Sequence, residues 1–251
     1  MTKNIWITGA SSGIGKALAI KFAKEGWKVA ASARREGLLQ DLHKNYTNIN
    51  SFPLDVKNES RSKEVFQSII EKFKTLDICV FCTGIHDPES EKKLSSKKIR
   101  EIMETNFFGT LNCIVAVNDF FLEKKNGHIS IVSSVAGYRG LPAAAGYCAS
   151  KSALSSLAES LYFDFKRHNI RVSLVSPGFI QTPMTDKNKF PMPMIKTPEY
   201  AADKMFIGLT KKNSFEIHFP KSFTFFMKIL RILPNSIYFK FLEKGMKKIK
   251  Y

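Results

Sequence analysis

The sequence has few cysteines and no long apolar run. Its 251 residues include four cysteines, Cys79, Cys82, Cys113 and Cys148, too few to hold a chain of this length as a disulfide-bonded secreted scaffold. The chain starts Met-Thr-Lys-Asn-Ile-Trp-Ile, without the charged and then apolar segments of a signal peptide. No stretch reaches the ~20 consecutive apolar residues that a membrane-spanning helix requires. We therefore expect a cytoplasmic protein with reduced thiols.

Acidic residues are also scarce. The chain has 39 Lys and Arg residues against 22 Asp and Glu residues, so its formal net charge is +17. Residues 221–251 alone contain eight basic residues and one acidic residue, Glu243, which gives this segment a charge of +7. Such a charge favours anionic partners: phosphates, acidic proteins, nucleic acid or anionic lipid. No nucleic-acid-binding motif accompanies it, so we expect no nucleic-acid partner.

Apolar runs alternate with amphipathic helical patterns along most of the chain. The apolar runs predict strands over residues 5–7, 29–32, 51–54, 78–81, 128–132 and 171–175. The intervening patterns predict helices over residues 16–25, 37–44, 60–73, 95–122 and 147–168. Strands that alternate with helices form a parallel sheet with helices on both faces. The predicted fold class is therefore α/β, a doubly wound parallel sheet in one domain over residues 1–220.

A proline-containing segment follows the last predicted strand. The prolines of residues 179–200 exclude a long helix, and a loop of this length is usually functional or disordered. Ligands of doubly wound folds bind at the carboxyl ends of the strands. We therefore expect this segment, which also contains methionine and phenylalanine, to form a lid over an apolar substrate.

A glycine-rich turn follows the first predicted strand. It reads Thr8-Gly9-Ala10-Ser11-Ser12-Gly13-Ile14-Gly15 and lies directly before a predicted helix. Glycine permits the sharp turn and the close approach of a pyrophosphate, to which the helix N-terminus donates amide hydrogens. Glycine also serves purely steric needs in such turns, so the motif alone leaves the ligand open.

A second motif supplies candidate catalytic groups. Tyr147 and Lys151 are four residues apart and share one face of a predicted helix. We expect the ammonium of Lys151 to lower the pKa of the Tyr147 phenol and to make it a proton donor and acceptor near neutral pH. Ser134 follows a predicted strand, thirteen residues before Tyr147, and its hydroxyl is expected to bind the same carbonyl oxygen.

Together these motifs resemble the classical short-chain dehydrogenase/reductase family, from about Lys3 to Ala202. The resemblance also rests on Leu54-Asp55-Val56, Asn106 and Pro177-Gly178, all in the family's order and spacing. It implies a Rossmann-like sheet and hydride transfer between a nicotinamide cofactor and an alcohol/carbonyl pair. The chain departs from the family at Phe81-Cys82-Thr83-Gly84, where Asn-Asn-Ala-Gly is usual; we expect altered packing there rather than lost chemistry.

The resemblance also implies roles for individual residues. Tyr147 is the implied acid/base, Lys151 binds the nicotinamide ribose, Ser134 orients the carbonyl, and Asn106 holds a water in a proton relay. Asp55 is implied to hydrogen-bond the adenine, and the segment ending at Thr182 to touch the carboxamide. Members commonly form dimers or tetramers, so a homo-oligomer is expected. The implied cofactor-binding residues are Gly9, Ser11, Ser12, Gly13, Ile14, Gly15, Arg34, Arg35, Asp55, Val56, Gly84, Tyr147, Lys151, Pro177, Gly178, Ile180 and Thr182.

The end of the second predicted strand indicates which cofactor is used. Enzymes that use NAD place an acidic residue there for the ribose 2′-hydroxyl, whereas a basic residue accommodates the 2′-phosphate of NADP. This chain has Ser32-Ala33-Arg34-Arg35, with no acidic residue before Glu36, and a guanidinium clamps phosphate well. We expect a preference for NADP(H) over NAD(H), and hence reduction as the working direction, although an arginine pair is often a solvated turn.

Two sets of residues receive no role. Cys79 and Cys82 have the spacing of a redox or metal pair, but they lie in an apolar run and no second Cys or His pair has metal-ligand spacing. We expect core residues and no metal site. The five histidines form no cluster, and only His86, shortly after Gly84, falls near the predicted cleft.

Residues 221–251 predict a basic, amphipathic helical extension. In its first part Thr224, Lys228 and Arg231 share a helix face and the remaining positions are apolar, until Pro234 ends the helix. A helix of this type binds an anionic membrane surface, which predicts a peripheral position on the inner membrane face. The alternative is that the extension packs on the body of the protein or on a partner subunit.

These inferences predict an NADP(H)-dependent carbonyl reductase or alcohol dehydrogenase for an apolar, lipid-like ketone or secondary alcohol. The alternative enzyme is a 3-oxoacyl-carrier-protein reductase, whose acidic carrier would bind the basic surface but would not require the hydrophobic extension. A non-catalytic NADP-binding sensor or scaffold is the alternative motivated by the departure after residue 80. The presence of Ser134, Tyr147 and Lys151 together argues against it.

Overall fold

A parallel β-sheet forms the centre of the protein. The computed structural model describes residues 3–91 and 93–247. Its strands are β1 (Asn4–Thr8), β2 (Lys28–Ser32), β3 (Ile49–Ser51), β4 (Ile78–Phe81), β5 (Gly127–Val132), β6 (Ile170–Pro177) and β7 (Glu216–Phe219). They lie in the order β3-β2-β1-β4-β5-β6-β7, and each neighbouring pair is parallel. This topology confirms the predicted doubly wound, Rossmann-like α/β fold.

Helices connect the strands and cover both faces of the sheet. They are α1 (Gly13–Lys24), α2 (Glu36–Asn45), α3 (Glu59–Phe73), α4 (Pro88–Glu91), α5 (Ser96–Met103), α6 (Gly109–Lys124), α7 (Ala145–Lys166), α8 (Pro198–Thr210), α9 (Lys221–Ile232) and α10 (Asn235–Lys247). Asn58, Ser95 and Thr197 begin α3, α5 and α8, where their side chains accept hydrogen bonds from backbone amides of the first turn. Such caps satisfy amides that have no partner inside the helix.

Residues of β1 alternate between two hydrophobic cores, one on each face of the sheet. Ile5 and Ile7 belong to the core shared with α1, α2 and α8, while Trp6 points into the opposite core. The Trp6 indole is fully buried, and its Nε1 donates to Ser32 Oγ at 2.9 Å. A sheet buried on both faces is a rigid support, and its carboxyl ends position the site described below.

Three local predictions differ from the structure. The strand predicted over residues 51–54 is Ile49–Ser51, because Pro53 has no amide to continue the pairing. The helix predicted over 95–122 is interrupted by a π-helical turn, Glu104–Phe108. Strand β7 was not predicted, since only Ile217 and Phe219 of its four residues are buried and such a short alternation gives little signal.

The predicted lid is a loop whose two ends are held together. It runs from Phe179 to Thr197, where the cap of α8 begins, so the last residues of the predicted range belong to that helix. Gln181 N donates to Lys196 O at 2.8 Å, and Lys196 N donates to Phe179 O at 3.0 Å. The loop therefore closes on itself at its base.

The C-terminal extension packs on the body of the protein through one side. Phe223, Met227 and Leu230 of α9 and Tyr238 of α10 are buried in a cluster with Val135 and Tyr138. The inner side of the extension therefore packs on the body of the protein, which is one of the alternatives expected from the sequence. In the part of the chain that the structure describes, no helix is long and apolar enough to cross a bilayer.

An arginine from the body holds the turn between α9 and α10. Arg139 Nη1 donates to Leu230 O at 2.8 Å and to Leu233 O at 2.7 Å, which are carbonyls at the end of α9. Its guanidinium lies 3.9 Å from the centre of the Tyr238 ring, a cation–π contact. Tyr238 Oη donates to Gly140 O at 2.5 Å. Residues 139 and 140 thus bind both helices of the extension.

We expect Tyr238→Ala to release α10 from the body and to lower the free energy of unfolding by about 3 to 5 kcal/mol, the usual cost of truncating a buried aromatic side chain. Tyr238→Phe keeps the ring beneath Arg139 and loses one hydrogen bond, so its cost should be about 1 kcal/mol. Urea denaturation measures both costs, and amide hydrogen exchange over residues 235–247 locates the change. Equal losses in the two variants would contradict this account of the docking.

Candidate active site

A cavity of about 450 Å³ opens at the carboxyl ends of β1, β4, β5 and β6. This is the edge at which doubly wound folds bind their ligands. Every residue predicted to bind the cofactor lines it, and so does Ser134. Asn106 is the predicted site residue that does not line it. The structure therefore brings together residues that are distributed from Gly9 to Thr182.

The glycine-rich turn is shaped by close backbone contacts. Gly9 has a φ of +71°, and a Cβ there would lie 2.9 Å from Cys82 O. A Cβ on Gly15 would lie 2.4 Å from Gly9 O, so no side chain fits between the turn and α1. Ser12 precedes α1 but makes no side-chain cap, which leaves the first amides of this helix for an anion. These donors fit the pyrophosphate of a dinucleotide.

Arg35 lies across the glycine-rich turn. Its Nη2 donates to Ser11 Oγ at 2.9 Å and to Ser12 Oγ at 2.7 Å. Arg34 lines the cavity beside it. Both arginines therefore line the cavity rather than forming a turn that only solvent contacts, and their guanidinium groups fit a phosphate group.

Asp55 and Val56 form the wall near β3. Val56 is buried, and Asp55 Oδ1 accepts from Lys57 N at 3.1 Å. A Cβ on Gly109 would lie 2.4 Å from Val56 Cγ2, so α6 is held close behind this wall. Asp55 also lines the cavity, and its contact with the adenine of a dinucleotide stays a prediction.

Asn106 braces the loop that departs from the family pattern. It is fully buried within the π-helical turn. Its Oδ1 accepts from Ile85 N at 2.7 Å, and its Nδ2 donates to Ile85 O at 3.0 Å and to Ser150 Oγ at 3.0 Å. At the other end of the loop, Cys82 N donates to Thr8 Oγ1 at 3.1 Å. The loop is therefore fixed at both ends without the family's usual asparagines.

Tyr147 and Lys151 reach the cavity from one face of α7, as predicted. The Lys151 Nζ lies 5.7 Å from the centre of the Tyr147 ring and donates to Val132 O at 2.9 Å. Burial raises the pKa of Tyr147 to about 12, and a hydrogen bond with Ser134 opposes this shift without reversing it. Burial also lowers the pKa of Lys151 to about 8.

The expectation that Lys151 lowers the pKa of Tyr147 is therefore wrong for this arrangement. The ammonium is bonded to a backbone carbonyl rather than to the phenol. Loss of hydration destabilises the Tyr147 phenolate more than the hydrogen bond with Ser134 stabilises it. Tyr147 is consequently a neutral phenol across the physiological pH range. A neutral phenol is suited to donating a proton.

A buried carboxylate lies behind Tyr147 and was not predicted. The Glu91 side chain is 2% exposed, and its Oε2 accepts from Gly146 N at 2.7 Å and from Tyr147 N at 3.2 Å. These amides belong to the first turn of α7, where a carboxylate is favoured. Glu91 therefore caps the helix that carries Tyr147 and Lys151.

Glu91 also orients His86. Its Oε1 lies 2.8 Å from His86 Nδ1, and the imidazole stacks on the Tyr147 ring with 4.4 Å between the ring centres. The sequence placed His86 near the cleft without a role, and no local spacing links Glu91 to α7. Only the folded structure shows that His86 contacts Tyr147.

The lid covers the outer side of the cavity. Thr182, Met184 and Lys187 of this loop line it. Lys187 Nζ lies 3.7 Å from Asp87 Oδ2, so an ion pair spans the opening between the lid and the loop after β4. Among the residues that the structure describes, no group of three or more His, Cys, Asp or Glu residues is arranged to hold a metal ion.

Known proteins resemble this chain in sequence and in fold. The family model "short chain dehydrogenase" matches residues 3–193. An uncharacterized oxidoreductase of Myxococcus xanthus is 33% identical over 236 residues, which is 92% of this chain and 93% of that protein. A 3-oxoacyl-[acyl-carrier-protein] reductase, FabG of Thermotoga maritima, is 33% identical over 185 residues, 72% of this chain and 75% of that protein.

A solved structure gives the same result. ElxO with NADP bound superposes with a TM-score of 0.76 at 26% identity, over 87% of this chain and 98% of that chain. The family model covers most of the sequence, and the site residues of the sequence lie around one cavity. The chain therefore belongs to the short-chain dehydrogenase/reductase family of oxidoreductases.

Proposed function

We propose that the protein is an NADP(H)-dependent carbonyl reductase that acts on apolar, lipid-like ketones, with oxidation of the corresponding secondary alcohol as the reverse reaction. The observation that carries the proposal is a neutral, partly buried Tyr147 phenol beside Ser134, at the wall of a cavity that Lys151 and the glycine-rich turn also line. This is the arrangement needed to bind a carbonyl oxygen and to protonate it.

The residues around the cavity have defined tasks in the reduction. The nicotinamide cofactor, when bound, supplies the hydride that adds to the carbonyl carbon. Ser134 and Tyr147 donate hydrogen bonds to the carbonyl oxygen, and Tyr147 transfers its proton as negative charge develops there. Lys151 binds the ribose and passes a replacement proton toward Tyr147. The Asn106 side chain, which is bonded to Ile85 and Ser150, positions the loop beside these groups.

The preference for NADP(H) rests on Arg34 and Arg35. Arg35 is already anchored to Ser11 and Ser12 by hydrogen bonds, so little side-chain freedom is lost when it meets a 2′-phosphate. A relative of this fold, ElxO, is described with NADP bound, which supports the same choice.

The substrate class rests on the lid. Phe179 and Phe190 pack with 6.1 Å between their ring centres, and Met184 faces the cavity. Apolar and flexible side chains of this kind accommodate a chain of methylene groups. We also expect the homodimer or homotetramer that is common in the family.

A second candidate is reduction of a 3-oxoacyl group on an acyl carrier protein. The similarity to FabG favours it, and the net charge of +17 would attract an acidic carrier. The two candidates differ in one property: a carrier reductase needs the carrier for efficient turnover, whereas a lipid ketone reductase does not.

We expect the purified protein to oxidise NADPH with free ketones, at rates that rise with chain length and do not depend on a carrier protein. Tyr147→Phe should lower kcat by about a hundredfold or more, because the acid is removed, while the Kd for NADPH stays the same. Absorbance at the NADPH band measures turnover, and fluorescence titration measures binding.

Other outcomes of this experiment would select the alternatives. Turnover only with acyl groups on a carrier protein would identify the carrier reductase. NADPH binding without turnover of any ketone or carrier-bound substrate would contradict the proposed catalysis and favour a sensor.

We expect Arg35→Leu to lower kcat/KM for NADPH by about tenfold to a hundredfold, the value of a charge-assisted contact to phosphate, and to leave kcat/KM for NADH within about twofold. Arg61→Leu, which removes an exposed arginine of α3 that pairs with Glu64, is the matched control. Equal losses with both cofactors would refute a phosphate contact at Arg35.

We expect Glu91→Ala to lower kcat by about tenfold to a hundredfold, because a small misplacement of Tyr147 is costly in catalysis. The Kd for NADPH should change much less than kcat, since Arg35 and the glycine-rich turn do not contact Glu91. Glu101→Ala, an exposed acid on α5 that pairs with Lys98, is the control. A general loss of stability, with equal effects on kcat and on the Kd, would show that Glu91 has only a structural role.

A further inference from the structure

The outward side of α9 is apolar, although another apolar side of the same helix packs on the body. Phe225, Ile229 and Ile232 are 65%, 41% and 80% exposed. Their spacing of four and three residues places them on one face. Phe223 and Met227 are buried on the opposite side. A surface helix normally turns its polar side to water, so this arrangement needs a reason.

Two of the three residues on the polar side of α9 bind to the body of the protein, and Arg231 is exposed. Thr224 is fully buried, and its Oγ1 lies 2.6 Å from His218 Nδ1. Lys228 forms an ion pair with Glu216 of β7. These contacts fix the rotation of the helix about its axis. The face of Phe225, Ile229 and Ile232 therefore cannot turn inward without breaking them.

Helix α10 adds aromatic side chains and positive charge to the same surface. Ile237, Phe239 and Phe241 are exposed, and the Phe241 ring lies 5.9 Å from that of Phe226. Lys240 and Lys244 are exposed one helical turn apart. Apolar and aromatic side chains beside lysines favour the interface of an anionic bilayer.

The apolar surface continues onto the lid. Ser222 at the start of α9 lies 3.4 Å from Met194 Sδ. Met194 is 53% exposed and its neighbour Ile195 is also exposed. Phe223 contacts the root of the lid, with 5.5 Å between its ring centre and that of Phe179. The outward side of α9 is thus continuous with the C-terminal end of the lid, a loop whose Thr182, Met184 and Lys187 line the cavity.

Charge decides between a lipid surface and a second copy of the chain. A symmetric contact through this face would bring together two copies of a surface that carries Lys240 and Lys244, in a protein whose net charge is already +17. Anionic headgroups neutralise this charge instead, and the exposed side chains enter the acyl boundary.

We infer that the outward sides of α9 and α10, together with Met194 and Ile195 beside the base of the lid, form a surface that binds an anionic lipid bilayer and sets the cavity mouth against it. The choice of a bilayer-dissolved substrate rests on the proposed function, whereas the binding of lipid does not. An apolar ketone in the membrane then reaches the site without crossing water.

Vesicle binding by the full-length protein tests the inference. We expect sedimentation with vesicles of equal parts phosphatidylcholine and phosphatidylglycerol, and little with phosphatidylcholine alone. The triple variant Phe225→Ser, Ile229→Ser, Ile232→Ser should bind the mixed vesicles at least about tenfold more weakly, because three apolar side chains no longer leave water. Lys240→Gln with Lys244→Gln should weaken binding most at low salt.

Matched controls place the effect on this face. Phe163→Ser removes an apolar side chain of α7 that is 70% exposed. The double variant Lys28→Gln, Lys72→Gln removes two positive charges from β2 and α3, as many as the α10 variant loses. Both control variants should bind the mixed vesicles like the unchanged protein. The triple variant should keep its melting temperature and its turnover of a short water-soluble ketone, and should lose turnover of a long-chain ketone dissolved in the vesicles.

Several results would overturn the inference. One is that the triple variant binds vesicles as well as the unchanged protein does, and another is that the unchanged protein does not bind them. A third is that the unchanged protein is an oligomer and the triple variant is not, which would assign this face to a second copy. If the unchanged protein binds vesicles but turns over no ketone, the proposed function is refuted and the lipid-binding surface is not.

Discussion

The buried ammonium of Lys151 is the constraint on which the arrangement of the site depends. Its Nζ donates to Val132 O at the end of β5, and its own carbonyl accepts from Ser133 Oγ at 2.8 Å. A Cβ on Gly137 would lie 2.9 Å from that carbonyl. The strand end, the turn after Ser134 and α7 are therefore packed around this one residue.

This burial has an energetic cost. The pKa of Lys151 is lowered from 10.5 to about 8, so the unfolded chain binds more protons between these values and stability rises with pH across that window. Below the window the folded state bears the full penalty, about 3 kcal/mol. Active sites commonly retain such destabilising groups because the chemistry needs them.

The sequence predicted those parts of the site that depend on local spacing. The turn from Gly9 to Gly15 and the pair Tyr147 and Lys151 each lie within a single strand–helix junction or helix, so chain order alone places them. The pKa of Tyr147 was misjudged, because desolvation depends on everything packed around the ring and not on one neighbour four residues away.

Other parts depended on distant contacts. Glu91 meets the first turn of α7 from 55 residues away, and nothing in its own short helix marks it. The inward direction of Thr224 depends on His218 of β7, a strand that the pattern did not predict. In both cases a polar residue has a partner that only the tertiary fold supplies.

The closure of the lid at its base has a consequence for substrate entry. Because backbone hydrogen bonds join Phe179 and Gln181 to Lys196, most of the entropy lost on forming this loop is lost when the protein folds and not when substrate binds. Closure at the base favours motion of the loop as a single flap about its two roots. Its motion needs only a few dihedral angles to change, so capture of a substrate carries a small entropic penalty.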